Sequence, residues 1–212
     1  YESWHKVVSA INCGAVYRVQ VPSIIGGYPG PAEGATLMQI TAMLLISAIF
    51  QPHYTGSSVY DIRYGGTCGR EGQWATSVIQ QAVSRNTHLL KTSTGAQVAG
   101  PCTEMLLYES AVFMMNFAAS GAEGSHVTRS AGGKYTDYLT PLECKFCGEV
   151  LKRSAGMTRK EVNEIAKVLI PKYEGMLQHP PKGKSVRECY DLKTLKPTQE
   201  WLDIYLKVKK EL

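Results

Sequence analysis

The chain has 212 residues, an apolar share of 44% and a formal charge of +5, which suits one ordinary soluble globular domain with a sizeable core. So mild a basic excess, with no Lys/Arg block and no aromatic-interleaved basic motif, argues against a nucleic-acid binder. No secretory or transit signal is present, and the longest apolar run, residues 35–50, carries Thr36, Gln39 and Thr41. That run falls short of a bilayer's thickness and reads as a buried helix, not a membrane span.

The chain opens at Tyr1 inside an apparent helix over 1–12, the start expected of a processed chain or of a piece of something longer. Four strand-then-helix units follow. The first pairs a strand over 22–27 with a helix over 33–50; the second, a strand over 58–64 with a helix over 71–85. The third has a strand over 88–93 and a helix over 102–119; the fourth, a strand over 126–131 and a helix over 141–153. This spacing is the length of a strand plus a crossover helix. Two further helices cover 158–175 and 198–211, the last with Pro197-Thr198 as its start signal and Trp201, Ile204, Tyr205 and Val208 on one stripe. The basic residues of the last third fall on exposed helix faces.

Consecutive units of this kind make parallel strands joined by right-handed crossovers, so all four strand ends face the same way. The loops leaving them are "GGYPGPAEG", "YGGTCGREG", "TGAQVAGPC" and "GGKYTDYLTP". Glycine lets backbone come close to a ligand, and ligand sites of parallel α/β folds lie beyond the carboxyl ends of the strands. Two architectures fit: an open doubly wound sheet, or the second half of an eight-stranded barrel.

In the third loop, Pro101 suits a first helical turn and Gly100 permits a tight entry, while Thr103 and Glu104 favour the same turn. Amides left free at that helix start would face the working rim, ready for an anion or dipole; a plain helix cap accounts for Pro101 and Thr103 equally well. Gln97, a neutral donor and acceptor at a strand's carboxyl end, can orient a polar substrate. Cys144 and Cys147 share a helix face with no second ligand pair and no nearby His, so they read as buried side chains. The five histidines are dispersed and no metal motif occurs. Six cysteines without the spacing of a secreted scaffold point to a reducing cytoplasm. The glycine loop Ser130–Lys134 can cradle a phosphate, and Arg63 and Arg129 near strand ends can bind an anion or sit in ion pairs with acids such as Asp61 or Glu33.

Four strings, "IIGGYPGPAEGATL", "DIRYGGTCGRE", "STGAQVAGPCTEMLLYES" and "KSVRECYDLKTLKPTQEWLDIY", resemble the carboxyl-terminal half of the monomethylamine:corrinoid methyltransferases, in the same order and at close spacing. The resemblance covers nearly the whole chain. It implies a (βα) barrel of the TIM type, represented by its last four units plus C-terminal helices, with residues 1–212 as a single domain. The implied activity moves a methyl group from monomethylamine, or a related methylated amine, to the cobalt(I) of a corrinoid on a separate partner protein, in methylamine-dependent methanogenesis. The family depends on pyrrolysine, which belongs to the amino-terminal half and is absent here, so the segment alone is expected to be inactive.

The same resemblance places Gln97 as the hydrogen-bonding partner of the bound amine. It puts Gln20 where the family has an acid, and an amide there cannot act as a base. Tyr28, Arg63 and Glu104 match positions lining the working rim, where the glycine loops would leave room for the corrin ring. Expected partners are the corrinoid protein and either the amino-terminal half or a second copy of the chain. Two other readings are kept: a phosphate-ester-binding enzyme using Ser130–Lys134 and Arg129, and a non-catalytic half-barrel that assembles with another chain.

Overall fold

The frame is a set of short strands whose Ser, Thr and Gly content hides them among turn-like residues. The computed structural model describes residues 2–212; Tyr1 of the expected opening helix lies outside the described residues. Helix α1 (Glu2–Asn12) leads into β1 (Arg18–Gln20), and the chain breaks at Val21-Pro22 before resuming as β2 (Ser23–Ile25). Pro22 has no N–H to give a ladder, so the single strand expected over 22–27 is two pieces, one of them upstream of the proline. Helix α2 (Ala32–Phe50) follows Pro31, and the next strand is again double, β3 (Tyr54–Ser57) and β4 (Val59–Asp61). The expectation of a start at 58 missed β3, because Tyr-Thr-Gly-Ser carries turn residues.

Helix α3 (Arg70–Asn86), β5 (Lys91–Gly95), α4 (Glu104–Ala119), β6 (Gly124–Thr128) and α5 (Pro141–Arg153) complete the alternation. Helix α6 (Arg159–Leu169) opens on a Thr158/Glu161 capping box and stops before Pro171, short of the expected 175; two single 3-10 turns follow, Ile170–Lys172 and Glu174–Met176. A short α7 (Val186–Cys189) and the antiparallel pair β7 (Tyr190–Asp191) and β8 (Lys196–Pro197) precede α8 (Gln199–Glu211), which Thr198 caps.

Strands β1, β3, β5 and β6 form one sheet in that order, every pairing parallel, and β2 and β4 pair parallel beyond it. Neighbours in the sheet are therefore neighbours in the chain, without the reversal of order that defines a doubly wound sheet. Helix α2 packs on α3, α3 on α4, and α4 on α5, so the crossover helices make one continuous layer. The Ser57 hydroxyl accepts from Gln80 Nε2 of α3 at 2.6 Å, which turns Ser57 toward that layer. Side chains alternate along a strand, so Tyr54 and Gly56 face the other way. Their registered neighbours Arg18, Gln20 and Thr92 share that far face.

The main core lies where α4, α5, α6 and α8 meet, around Leu106, Leu107, Phe113, Phe117, Phe146, Tyr173 and Trp201. Helix α4 is buried on nearly all sides, as an all-round apolar helix must be. A second cluster, with Ile25, Ala35, Met43, Val59, Ile79 and Val83, joins α2 and α3 to β2 and β4. Here one expectation is corrected: α2 is not a buried helix. Only a face of Ala35, Thr36, Gln39, Met43 and Ile46 is buried, while Leu37, Leu44, Leu45 and Ile49 are exposed. By length and composition alone this helix is apolar enough to cross a membrane; its inner face is held by the second cluster.

Trp201 carries much of the C-terminal packing. It is 0% exposed, and its indole N–H donates to Thr140 Oγ1 at 3.0 Å. Trp201→Ala should cost about 3–5 kcal/mol of unfolding free energy, read from urea titrations of the 212-residue chain; a loss below about 1 kcal/mol would mean that α8 is not anchored there.

Candidate functional site

Strand β5 ends at Gly95, and a Cβ there would lie 2.4 Å from Gln97 Nε2. The missing side chain is what allows Gln97 to fold back over the strand end. Gln97 is 0% exposed. Its Oε1 accepts from the Thr128 hydroxyl and from the Arg129 amide, the latter at 3.2 Å. A backbone N–H only donates, so this contact fixes the oxygen and leaves Nε2 pointing elsewhere. That nitrogen is buried without a hydrogen-bond partner, a donor whose desolvation is uncompensated.

The loop carrying Gln97 is gripped from three sides. Glu109, fully buried on α4, reaches back to accept from the Val98 and Ala99 amides at 3.0 and 3.1 Å. Burial pushes its carboxyl up to about 8, against the pull of those two amides. From the C-terminal region, Pro181 O accepts from the Gly100 amide at 3.0 Å and the Lys184 amide donates to Pro101 O at 2.9 Å. The approach is backbone on backbone: a Cβ at Gly100 would fall 1.7 Å from Lys182 O, and one at Gly183 would fall 2.2 Å from Pro101 O. Neighbouring loops supply the third side. The Thr67 amide donates to Ala96 O at 3.0 Å, the Ala96 amide donates to Thr67 Oγ1 at 2.9 Å, and the Gly132 amide donates to Gln97 O at 2.7 Å.

Three of the four strand-end loops therefore form one hydrogen-bonded rim with Gln97 inside it. This arrangement narrows one expectation and corrects another. Of the amides leading into α4, Glu109 holds those of Val98 and Ala99, Pro181 O holds that of Gly100, and Thr103 Oγ1 accepts from Leu106. The Ser130–Lys134 loop does not present a phosphate cradle: the Ala131 and Gly132 amides donate to Ala99 O and Gln97 O, both at 2.7 Å. Glu143, buried on α5, fixes that loop by accepting from Ser130 Oγ at 3.1 Å and the Thr140 amide at 2.6 Å. Burial pushes the Glu143 carboxyl up, with the Thr140 hydrogen bonds opposing it.

The other anticipated residues are placed unequally. Gln20 lies on the sheet face away from the helices, accepting from Arg18 Nη2 and donating through Nε2 to Ser58 Oγ at 2.7 Å. The Ser58 hydroxyl in turn donates to Ser57 O at 2.7 Å, with Thr94 O of β5 farther off at 3.4 Å. Tyr28 is 97% exposed. Arg63 is in ion pairs, its Nε donating to Asp61 Oδ1 at 2.8 Å and its Nη2 to Glu71 at 2.9 Å; Asp61 and Glu71, not Glu33, are the acids it meets. Burial raises the Asp61 carboxyl, and the Arg63 hydrogen bonds outweigh that, leaving it below the ordinary carboxylate range. Glu104 accepts from Lys207 Nζ of α8 at 2.6 Å, joining two helices. Gln20 and Gln97 thus share no hydrogen-bond partner, Gln20 being held by Arg18 and Ser58 and Gln97 by Thr128 and Arg129.

A family model described as monomethylamine methyltransferase MtmB matches residues 4–212. The chain belongs to the monomethylamine methyltransferase family. The monomethylamine methyltransferase MtmB of Methanosarcina mazei is 34% identical over 201 residues, covering 95% of this chain and 44% of that protein. MtmB1 of Methanosarcina barkeri is 36% identical over 205 residues with the same coverage. The crystal structure of the Methanosarcina barkeri monomethylamine methyltransferase superposes with a TM-score of 0.92 at 30% identity, over 97% of this chain and 45% of that one. A crystal structure of the hydroxylamine MtmB complex matches equally. The chain spans less than half the length of the curated family members it matches.

Glu109 was not singled out from the sequence, although a lone acid within "MLLYESAVFMM" was a usable signal: a buried acid needs partners. Its titration yields a prediction. Between the ordinary 4.5 and about 8, the folded chain holds a proton on Glu109 that the unfolded chain has released. Its stabilising effect is therefore complete below about 4.5 and lost as pH rises through about 8, a change on the order of a few kcal/mol. Urea titrations across that window should show stability falling with pH, and Glu109→Gln should flatten the fall. A slope unchanged in the variant would remove Glu109 from this role.

Proposed function

We propose that this chain is the carboxyl-terminal half of a (βα) barrel methyltransferase, which moves a methyl group from monomethylamine or a related methylated amine to a corrinoid on a partner protein. The half-barrel reading is supported by four parallel strands in chain order with one layer of crossover helices. The observation that carries the functional reading is the Gln97 side chain, an amide donor held dry and without a partner at the end of β5. Six free cysteines suit a reducing cytoplasm.

Gln97 cannot rotate to offer its oxygen, because Thr128 and Arg129 hold it. What it offers is N–H, which fits the lone pair of a neutral amine and not a fully protonated methylammonium. Such a donor is pre-oriented, so substrate binding gains a hydrogen bond without ordering a side chain. The proton lost by methylammonium is not accepted by Gln20, a neutral amide tied to Arg18 and Ser58. The corrinoid, when its carrier protein docks, supplies a cobalt nucleophile for the methyl group. Rim loops bonded to one another keep Gln97 away from water and fix its distance from that reaction centre.

The decisive experiment reads the DNA upstream of Tyr1. A homologous frame interrupted only by TAG is expected; an unrelated start with no homologous frame overturns the reading. In the full-length protein supplied with reduced corrinoid protein, Gln97→Ala should lower kcat about 10²-fold, and Gln20→Glu should raise monomethylamine turnover at neutral pH about tenfold. The 212-residue chain by itself should show no turnover.

A further inference from the structure

Two cysteines far apart in the chain meet at the clasp that closes over the Gln97 loop. Cys102 follows Gly100 and Pro101, which are bonded through their backbone to Pro181 and Lys184, and it holds a left-handed φ of 63°, a region that a residue with a Cβ seldom adopts. Cys189 ends α7 with its Sγ 3.6 Å from Lys184 O, and the amide of that same Lys184 donates to Pro101 O at 2.9 Å. Across this contact the two thiols are hydrogen-bonded to each other, an arrangement that favours charge on Cys102 and keeps the proton on Cys189. Cys102 is 8% exposed and Cys189 0%, so a small reagent meets Cys102 first. Burial raises the Cys102 thiol, Glu200 of α8 adds to that, and Lys184, itself paired with Glu200, opposes it. Cys189 is pushed up to about 12, by burial first and then by Cys102 and Glu143, with Lys184 again opposing.

We propose that Cys102 and Cys189 are a reversible dithiol–disulfide pair that reacts with low-molecular-weight disulfides and, once oxidised, ties the Gln97 loop covalently to α7. The Cys102 thiolate attacks one sulfur of the small disulfide; a mixed disulfide forms on Cys102 and one small thiolate leaves. Cys189 then attacks the Cys102 sulfur, the Cys102–Cys189 bond forms and the second small thiolate leaves. Two protein thiols are oxidised, the small disulfide is reduced to two thiols, and the protons of Cys102 and Cys189 pass to the departing sulfurs. In a reducing compartment the dithiol is the resting form, and closure follows a rise in small disulfides. The bond would fix the backbone contact of Gly100 and Pro101 with Pro181 and Lys184, which otherwise rests on hydrogen bonds alone. Nothing in this chemistry involves an amine or a corrinoid, so it stands or falls apart from the methyltransferase reading.

Hydroxyethyl disulfide is the probe, applied to the 212-residue chain carrying Cys13→Ser, which removes the exposed thiol that would form a mixed disulfide of its own. Two thiols should be lost, and a tryptic digest should contain peptides 92–129 and 188–193 joined, separating again with dithiothreitol. Cys189→Ser should stop at a mixed disulfide on Cys102, and Cys102→Ser should yield neither product; circular dichroism checks each fold, and the peptide map of the parent chain decides the matter if a serine variant misfolds. Because burial keeps Cys102 protonated at neutral pH, closure should run about tenfold faster at pH 8 than at pH 7. A native chain whose Cys102 and Cys189 stay reduced under a large excess of the probe at pH 8 overturns the proposal. So does a cross-link from Cys102 or Cys189 to any other cysteine, or a joined peptide that forms only when urea unfolds the chain.

Discussion

The site depends on one carboxyl group holding two amides. Glu109 sits in the middle of the most buried helix and bonds Val98 and Ala99, the two residues after Gln97. An ionised carboxylate in so apolar a place would be expensive, so the group keeps its proton well above the usual carboxylate range. Removing it would leave two buried N–H groups without partners, at about 1–3 kcal/mol each. The Gln97 orientation, the link to Gly132 and the meeting of three loops all follow from the loop path that this contact sets.

The helices were more legible than the strands. Helix α5 announces itself through Thr140, Pro141 and Glu143, and α8 through Thr198 and its apolar stripe, because caps and a helical period are local properties. The strands carry Ser, Thr and Gly on both faces, one meeting helix side chains such as Gln80 and the other left open, so no alternation of apolar and polar residues marks them. Pro22 divided the first strand for a reason visible in the sequence, yet its upstream half, Arg-Val-Gln, was too short to stand out.

Gln97 was legible from its place at a strand end; its environment was not. Glu104 and Glu109 show why. They lie on the same helix, and sequence attracts attention to Glu104 in the first turn, where it makes an exposed pair with Lys207. Glu109 is five positions on, inside an apolar run, and burial turns it into the loop's anchor. Arg63 gives the complementary case: an arginine at a strand end, poised in sequence for an anion, already has Asp61 and Glu71. Partners that arise through folding decide between such readings, and no spacing rule contains them.

The contact between Gly100-Pro101 and Pro181-Lys184 joins segments separated by most of the second half of the chain. During synthesis, the turn bearing Gln97 leaves the ribosome well before the stretch that closes over it. Until that stretch arrives, Gly100 and Pro101 lack their backbone partners and the turn is fastened only by Glu109 and its neighbours. Geometry at the strand end is therefore completed late, and a chain cut before Pro181 would lose both the outer clasp and the α8 side chains, Trp201 among them, that close the main core.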